Sequence, residues 1–150
     1  MKEELNLSIE DHNNATIEIS FLLNLFSKAI SEIIGNAVSS IGISSGREFA
    51  KKMPILFDST NMKDSIDKLT KYLQGGFDIS SELSENQINF TFSRCALKNI
   101  CQLKKDDLGG YLCKLFHLYM NGIIIQITKK NLKMAIIKTG DECCVNHIMI

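Results

Sequence analysis

The stretch DDLGGYLCKLFHLYMNGIIIQI, from Asp106 to Ile127, carries the strongest structural pattern in the chain. Its apolar residues recur at steps of three and four, which predicts one long helix that starts at the two aspartates. A helix that is apolar on two sides is usually buried on two sides, so we expect this segment to be the central helix of the fold. The two stripes are Leu108, Leu112, Leu115, Phe116, Tyr119, Ile123 and Ile127, and beside them Cys113, His117, Met120 and Ile124.

The composition indicates one globular domain over residues 1–150, with a helical half (1–76) and a second half (77–150) of hairpins around the central helix. Seventeen basic and 17 acidic residues cancel, so the net charge favours neither nucleic acid nor an anionic membrane surface. No apolar run is long enough to span a bilayer, and the polar N-terminus lacks the apolar core of a signal peptide. We therefore expect a cytoplasmic protein whose five cysteines are thiols.

The first helical half contains three predicted helices. The first, from Ala15 to about Ser40, has a long apolar stripe that we expect to pack on the core, with a second subunit as the alternative partner. Gly42 and Gly46 then stand four residues apart, which suits either a turn between helices or a close approach of two helices. A short helix from about residue 44 ends before Pro54, and a third, capped by Ser59 or Thr60, ends at residues 75–76.

The hydrophobic period changes from 3.6 to 2 at residue 77. FDISSEL (77–83) and QINFTFS (87–93) alternate around a turn, which predicts a hairpin. Residues 132–138 and 143–150 predict a second hairpin, which we expect at the centre of the sheet because both of its faces are largely apolar. The predicted fold is thus α+β: N-terminal helices plus a four-stranded antiparallel sheet, with a long central helix between two hairpins.

Cysteine and histidine are the candidate metal ligands. Cys113 and His117 lie one helical turn apart and could ligate the same ion. Cys143, Cys144 and His147 of the last strand could supply the remaining ligands, but Cys143 and His147 share one face of the strand and Cys144 points the other way. The chain has no CxxC pair, so buried thiols are the commoner explanation and a zinc site is the alternative. As a nucleophile and base, Cys113 and His117 have no carboxylate near them in sequence, so we predict no catalytic constellation and a protein that is not an enzyme.

Large, flexible apolar side chains of the central helix and both hairpins could surround an apolar cavity, which is the usual form of a small-molecule site. A filled core is the alternative reading of the same residues. The predicted lining is Phe90, Phe92, Cys113, Phe116, Met120, Ile124 and Met134.

Residues 77–150 resemble the 4-vinyl-reductase, or hydrocarbon-binding, domain family. The segments that carry the resemblance are FTFSRCAL, GGYLCKLFHLYMNGII and TGDECCVNHIMI, with cysteines at family positions in Cys95, Cys113 and Cys144. The resemblance implies a small ligand-binding or sensory domain, often a homodimer, with a fold similar to that of vesicle-tethering TRAPP subunits. Some members resemble zinc-containing sensors, but the positions of two further zinc ligands hold Lys133 and Ile136 here.

The leading prediction is a non-catalytic binding or sensory domain for an apolar small molecule. We expect it to form a homodimer, to bind no nucleic acid by itself and to have no membrane span. Two alternatives remain open. One is a homodimeric structural or interaction protein with a filled core. The other is a metal-binding protein that uses Cys113, Cys144 and His117, with zinc as the metal.

Overall fold

The computed structural model describes residues 8–35, 37–53, 61–105, 107–132, 134–140 and 143–150, with backbone only at 34, 37 and 134–137. The elements are α1 (Ile9–Ile34), α2 (Ala37–Lys52), α3 (Met62–Leu73), β1 (Phe77–Leu83), β2 (Gln87–Cys95), α4 (Ala96–Lys104), α5 (Tyr111–Thr128), β3 (Met134–Lys138) and β4 (Cys144–Met149). The α+β class is confirmed. None of the helices described is long and apolar enough to cross a membrane.

The first helix begins earlier and ends earlier than predicted. Ser8 caps α1, because its hydroxyl accepts the N–H of Asp11 at 3.1 Å while the Asp11 carboxylate accepts the N–H of Ser8 at 2.9 Å. The helix ends at Gly35, whose φ of +60° suits only glycine without strain. The predicted single helix to Ser40 is therefore two helices, and α2 takes over at Ala37.

Helix α2 packs on α5 through glycines, so the close-approach alternative for Gly42 and Gly46 is confirmed and the turn is wrong. A Cβ atom at Gly42 would lie 2.6 Å from the Cβ of Leu118, and one at Gly46 would overlap the carbonyl oxygen of Tyr119. The contact is reciprocal, since a Cβ at Gly122 of α5 would overlap the carbonyl oxygen of Ile43. Only glycine lets the two backbones approach this closely.

Two helices, α4 and α5, lie between the first hairpin and the third strand. The sequence of residues 94–105 predicts a short irregular or helical link before the central helix, and the structure shows the helical alternative. Helix α5 starts at Tyr111, with Gly110 as its N-cap, so Asp107 precedes the helix and does not sit in its first turn. The predicted caps of the third helix, Ser59 and Thr60, lie outside the described residues. Asn61 caps α3 with an oxygen 2.8 Å from the N–H of Asp64.

The strands form one antiparallel sheet in the order β1-β2-β4-β3. The prediction that the whole second hairpin lies at the centre of the sheet was wrong. Only β4 lies inside the sheet, beside β2, while β3 forms an edge. Alternation of apolar residues cannot reveal this order, since either strand of a hairpin can pair with the other hairpin. The structure describes the side chains of β1, β2 and β4. In β3 it describes only the side chain of Lys138.

Helix α5 lies between two layers. One side packs on α1 and α2, and the other side packs on the sheet, so the prediction of a central helix that is buried on both sides is confirmed. Phe90, Phe92 and Ile88 of β2 are fully or almost fully buried against it. The opposite face of the sheet is polar and carries Asn89 and His147, whose Oδ1 and Nδ1 atoms lie 2.7 Å apart.

Replacing Gly46 with alanine should destabilise the fold by at least about 2 kcal/mol, because the new methyl group would overlap the α5 backbone. Gly75→Ala is the matched control, since a Cβ atom there meets nothing within 4 Å and its φ is not positive. Urea unfolding of both variants measures the two free energies. Equal stability of the two variants would contradict the glycine contact.

Candidate functional site

The helical layer encloses a cavity of about 520 Å³ between α1, α2 and α5. This volume suits a small organic molecule. Exposed Leu23, Phe26 and Ile41 lie on its wall, so the cavity opens at the outer surface of the helical layer. The lining residues described are Ser20, Leu23, Phe26, Ser27, Ile30, Val38, Ile41, Gly42, Ser45, Leu97, Leu112, Leu115, Phe116 and Tyr119.

The polar groups of this cavity are neutral hydroxyls. Ser27 is buried and donates its hydroxyl hydrogen to the carbonyl oxygen of Leu23 at 2.7 Å. Burial, with a smaller contribution from Tyr72, raises the pKa of Tyr119 to about 12, so its phenol stays protonated at neutral pH. None of the described lining residues is charged. The cavity therefore suits a largely apolar, uncharged molecule with a few hydrogen-bonding groups.

The other side of α5 carries a polar seam, which we define as Cys113, His117 and Asn121 on α5 and Cys144 and Asn146 on β4. His117 is 5% exposed, and the edge of its ring meets the Phe92 ring at a centroid distance of 5.2 Å. Burial lowers its pKa to about 4, so the imidazole is neutral at pH 7. Its Nδ1 atom has no hydrogen-bond partner among the described residues.

Asn121 and Asn146 continue the seam below His117. The Nδ2 atom of Asn146 donates to Oδ1 of Asn121 at 3.4 Å, and both side chains are buried. The Oδ1 atom of Asn146 has no partner among the described residues. Two buried polar atoms without partners among the described residues are costly unless another group satisfies them.

A β-bulge directs Cys95 toward the seam. Asp78 pairs with Arg94 but Ile79 pairs with Phe92, so Ser93 is the extra residue of β2. The extra residue reverses the alternation beyond it, and Cys95 therefore joins Phe92 on the face that packs on α5. Strict alternation would have placed Cys95 on the polar face.

Three thiols, those of Cys95, Cys113 and Cys144, meet at this end of the seam. Burial raises the pKa of Cys95, and the neighbouring thiols of Cys113 and Cys144 raise it further. Backbone N–H groups of Lys98 and Leu97 oppose the rise without cancelling it. The Cys95 side chain is therefore a neutral thiol at pH 7, and these three are the cysteines that carried the family resemblance.

The described residues contain no group of three or more histidine, cysteine or acidic side chains that could hold a metal ion. Cys113, Cys144 and His117 all lie on the seam, but the three do not form a ligand set. His147 lies on the opposite face of the sheet, bonded to Asn89. Because the described residues form no such group, the zinc site stays a prediction.

The predicted pocket residues divide between the core and the cavity. Phe90, Phe92, Met120 and Ile124 belong to the packed core, and Cys113 is buried at the seam. Phe116 alone of the predicted set lines the cavity in the described structure. The side chain of Met134 lies outside the described residues.

Sequence reasoning missed the asparagines and the hydroxyl groups. Asn146 stands between Cys144 and Ile148 on the buried face of β4, so alternation alone places it inside. Asn121 follows His117 by four residues and extends the second stripe of α5. The cavity hydroxyls had no comparable signal, because α1 was expected to turn its apolar stripe toward the core.

The model of the L-2-amino-thiazoline-4-carboxylic acid hydrolase family matches residues 21–148. This match overturns the prediction that the chain is not an enzyme, because the family is named for a hydrolase. The match covers both the cavity and the seam, apart from Ser20 at the edge of the cavity. No curated protein matches the sequence.

Among solved structures, the fold is similar to the phenol-responsive sensory domain of the transcription activator PoxR, crystallised with phenol. The TM-score is 0.59 with 12% sequence identity, over 87% of this chain and 74% of the sensory domain. At this identity the likeness establishes a shared fold. The 4-vinyl-reductase assignment stays a prediction.

The buried His117 should make the protein less stable in mild acid. Its pKa is about 4 in the folded protein and about 6.5 when unfolded, so the unfolded state binds the extra proton as the pH falls through this window. The free energy of unfolding should be lower by about 2 kcal/mol at pH 5 than at pH 8. Urea titrations of wild type and His117→Gln measure this difference.

The His117→Gln variant should lose most of this pH dependence, whereas His12→Gln, at an exposed position of α1, should keep it. An unchanged slope in His117→Gln would show that other groups cause the acid sensitivity.

Proposed function

Because the chain belongs to the L-2-amino-thiazoline-4-carboxylic acid hydrolase family, we propose that it binds a small ring compound in the cavity of the helical layer and hydrolyses it. The observation that carries the proposal is the cavity of about 520 Å³, with apolar walls and a few neutral hydroxyls. Such a lining recognises shape and apolar surface first, and a small number of hydrogen bonds second.

The lining favours an uncharged ring over a carboxylate. A carboxylate that enters an apolar cavity loses its hydration, and the described wall offers it no cation in return. The related fold of a phenol-responsive domain supports the same class of ligand. We therefore propose that the compound bound by this chain is uncharged where it meets the cavity, unlike the acid in the family's name.

His117 is the proposed general base for the hydrolytic step. Its imidazole is neutral at pH 7 and so has a lone pair free to accept a proton, but the lowered pKa makes it a weaker base than an exposed histidine. Its ring centroid is 5.7 Å from that of Phe116, which borders the cavity, so the Phe116 ring stands between the base and the bound compound. The proposal therefore requires the Phe116 ring to turn aside, because a general base must lie within hydrogen-bonding reach of the water that it deprotonates. Asn121 and Asn146 supply hydrogen-bonding groups on the same seam.

Ligand binding is tested by filling the cavity from its rim. Ser45→Phe places an aromatic ring at a lining position, whereas Ser44→Phe places the same ring on the same helix at an exposed position outside the lining. Calorimetry with phenol should show binding to wild type and to Ser44→Phe, and an affinity at least about tenfold lower for Ser45→Phe. Benzoate, a ring of similar size with a charge, should bind more weakly than phenol.

Equal affinities of the two serine variants would place the ligand elsewhere. A preference for benzoate would refute the uncharged class.

The hydrolytic role of His117 is tested with the methyl ester of L-2-amino-thiazoline-4-carboxylic acid, which lacks the carboxylate charge. Addition of water at C2 of the ring and cleavage of the C2–S bond leave a urea group and release a thiol that can be titrated. His117→Gln should lower the rate at least about 100-fold, the usual contribution of a general base, while phenol binding is retained. His147→Gln, on the far face of the sheet, should keep the rate. Equal rates for wild type and His117→Gln would remove His117 from the mechanism.

A further inference from the structure

Helix α1 leaves large apolar residues exposed to solvent while it turns polar residues toward α5. The side that meets α5 carries Asn24, whose Oδ1 accepts the N–H of Leu112 at 3.1 Å, and the buried Ser27. The side that faces solvent carries what we call the outer stripe: Ile19, Leu22, Phe26, Ala29 and Ile33. A helix that stands alone on a surface normally has the opposite arrangement.

The outer stripe is regular and strongly exposed. Its residues follow steps of three, four, three and four, which is the spacing of a helix that packs along another helix. Phe26 is 57% exposed and Ile33 is 83% exposed. Exposed side chains of this size present roughly 100 Å² each, so the stripe and the adjoining Leu23 leave about 500 Å² of apolar surface uncovered, and single-chain proteins rarely expose more in one patch.

We propose that the outer stripe is the interface at which two copies of this chain pair, with their α1 helices antiparallel. The steps from Leu22 through Phe26 and Ala29 to Ile33 are four, three and four, which read the same in both directions. In an antiparallel pair, Leu22 of each copy then meets Ile33 of the other, and Phe26 meets Ala29. The bulkiest side chain thus lies opposite the smallest, as self-complementary packing at a two-fold axis requires.

The size of the surface also favours a second copy. A stable interface buries about 800 Å² on each partner, and the outer stripe with its flanking residues Leu23 and Ile41 supplies roughly 600 Å² of apolar surface toward that area, which leaves the remainder to polar residues at the rim. Leu23 and Phe26 also border the cavity, so the second helix would lie across its opening. The pairing does not depend on the proposed hydrolysis.

The test uses variants that leave the cavity lining intact. Leu22→Glu and Ile33→Glu each place a charge within the outer stripe, and neither residue lines the cavity. Leu25→Glu is the control, because Leu25 is 48% exposed, close to the 51% of Leu22, but lies on the polar flank of α1 beside Lys28 and Glu32. Circular dichroism verifies that all variants fold.

Sedimentation velocity should give twice the monomer mass for wild type and Leu25→Glu at roughly 10 μM. The dissociation constant should rise at least about 100-fold in Leu22→Glu and Ile33→Glu, because each charge is buried twice in the dimer. A monomeric wild type overturns the proposal, and so does a dimer that both stripe variants leave intact or that Leu25→Glu disrupts equally. Phenol binding by the same variants reports on the proposed function separately.

Discussion

The contact between the backbones of α2 and α5 is the constraint on which the arrangement of the helical layer depends. Gly42 and Gly46 on one helix and Gly122 on the other leave no room for even a methyl group. Because α2 is held this close to α5, α1 can reach α5 only along the remaining side, near its N-terminal half. The cavity occupies the wedge that opens between the two contacts. Close packing at one crossing thus produces open space at the next.

The two sides of α5 have different chemistry because they face different layers. On the helical side, the polar groups are hydroxyls in an apolar wall, and they remain neutral. On the sheet side, His117 and the asparagines sit in a packed core where two polar atoms lack partners among the described residues. The first environment offers apolar surface with a few hydroxyls, and the second offers buried polar atoms without partners among the described residues. Phe116 belongs to both, since it borders the cavity and stacks on Phe77 of β1 at a centroid distance of 4.7 Å.

Periodicity predicted the features that one element determines by itself. The two stripes of α5 and the alternation of the first hairpin are properties of local spacing, and the structure reproduces both. The order of strands and the direction in which α1 turns its apolar stripe depend on contacts between distant segments, which spacing does not encode. The sequence predicted part of the seam. It places Cys113 and His117 on one face of the helix, but it did not mark Asn146 as a site residue, because a polar residue in an apolar strand carries no signal of its own. Family membership came from comparison, since no catalytic spacing marks it.

The β-bulge at Ser93 determines which face of the sheet carries Cys95. With the extra residue, Cys95 lies inside with Cys113 and Cys144. A relative that kept the same number of residues but paired β2 regularly with β1 would present this cysteine on the polar face of the sheet, where a thiol is open to oxidation and alkylation. Loss of Ser93 itself would leave the cysteine two positions after Phe92 and therefore still enclosed. Relatives that align here without a gap can thus differ between an enclosed and a reactive thiol, according to whether β2 is bulged.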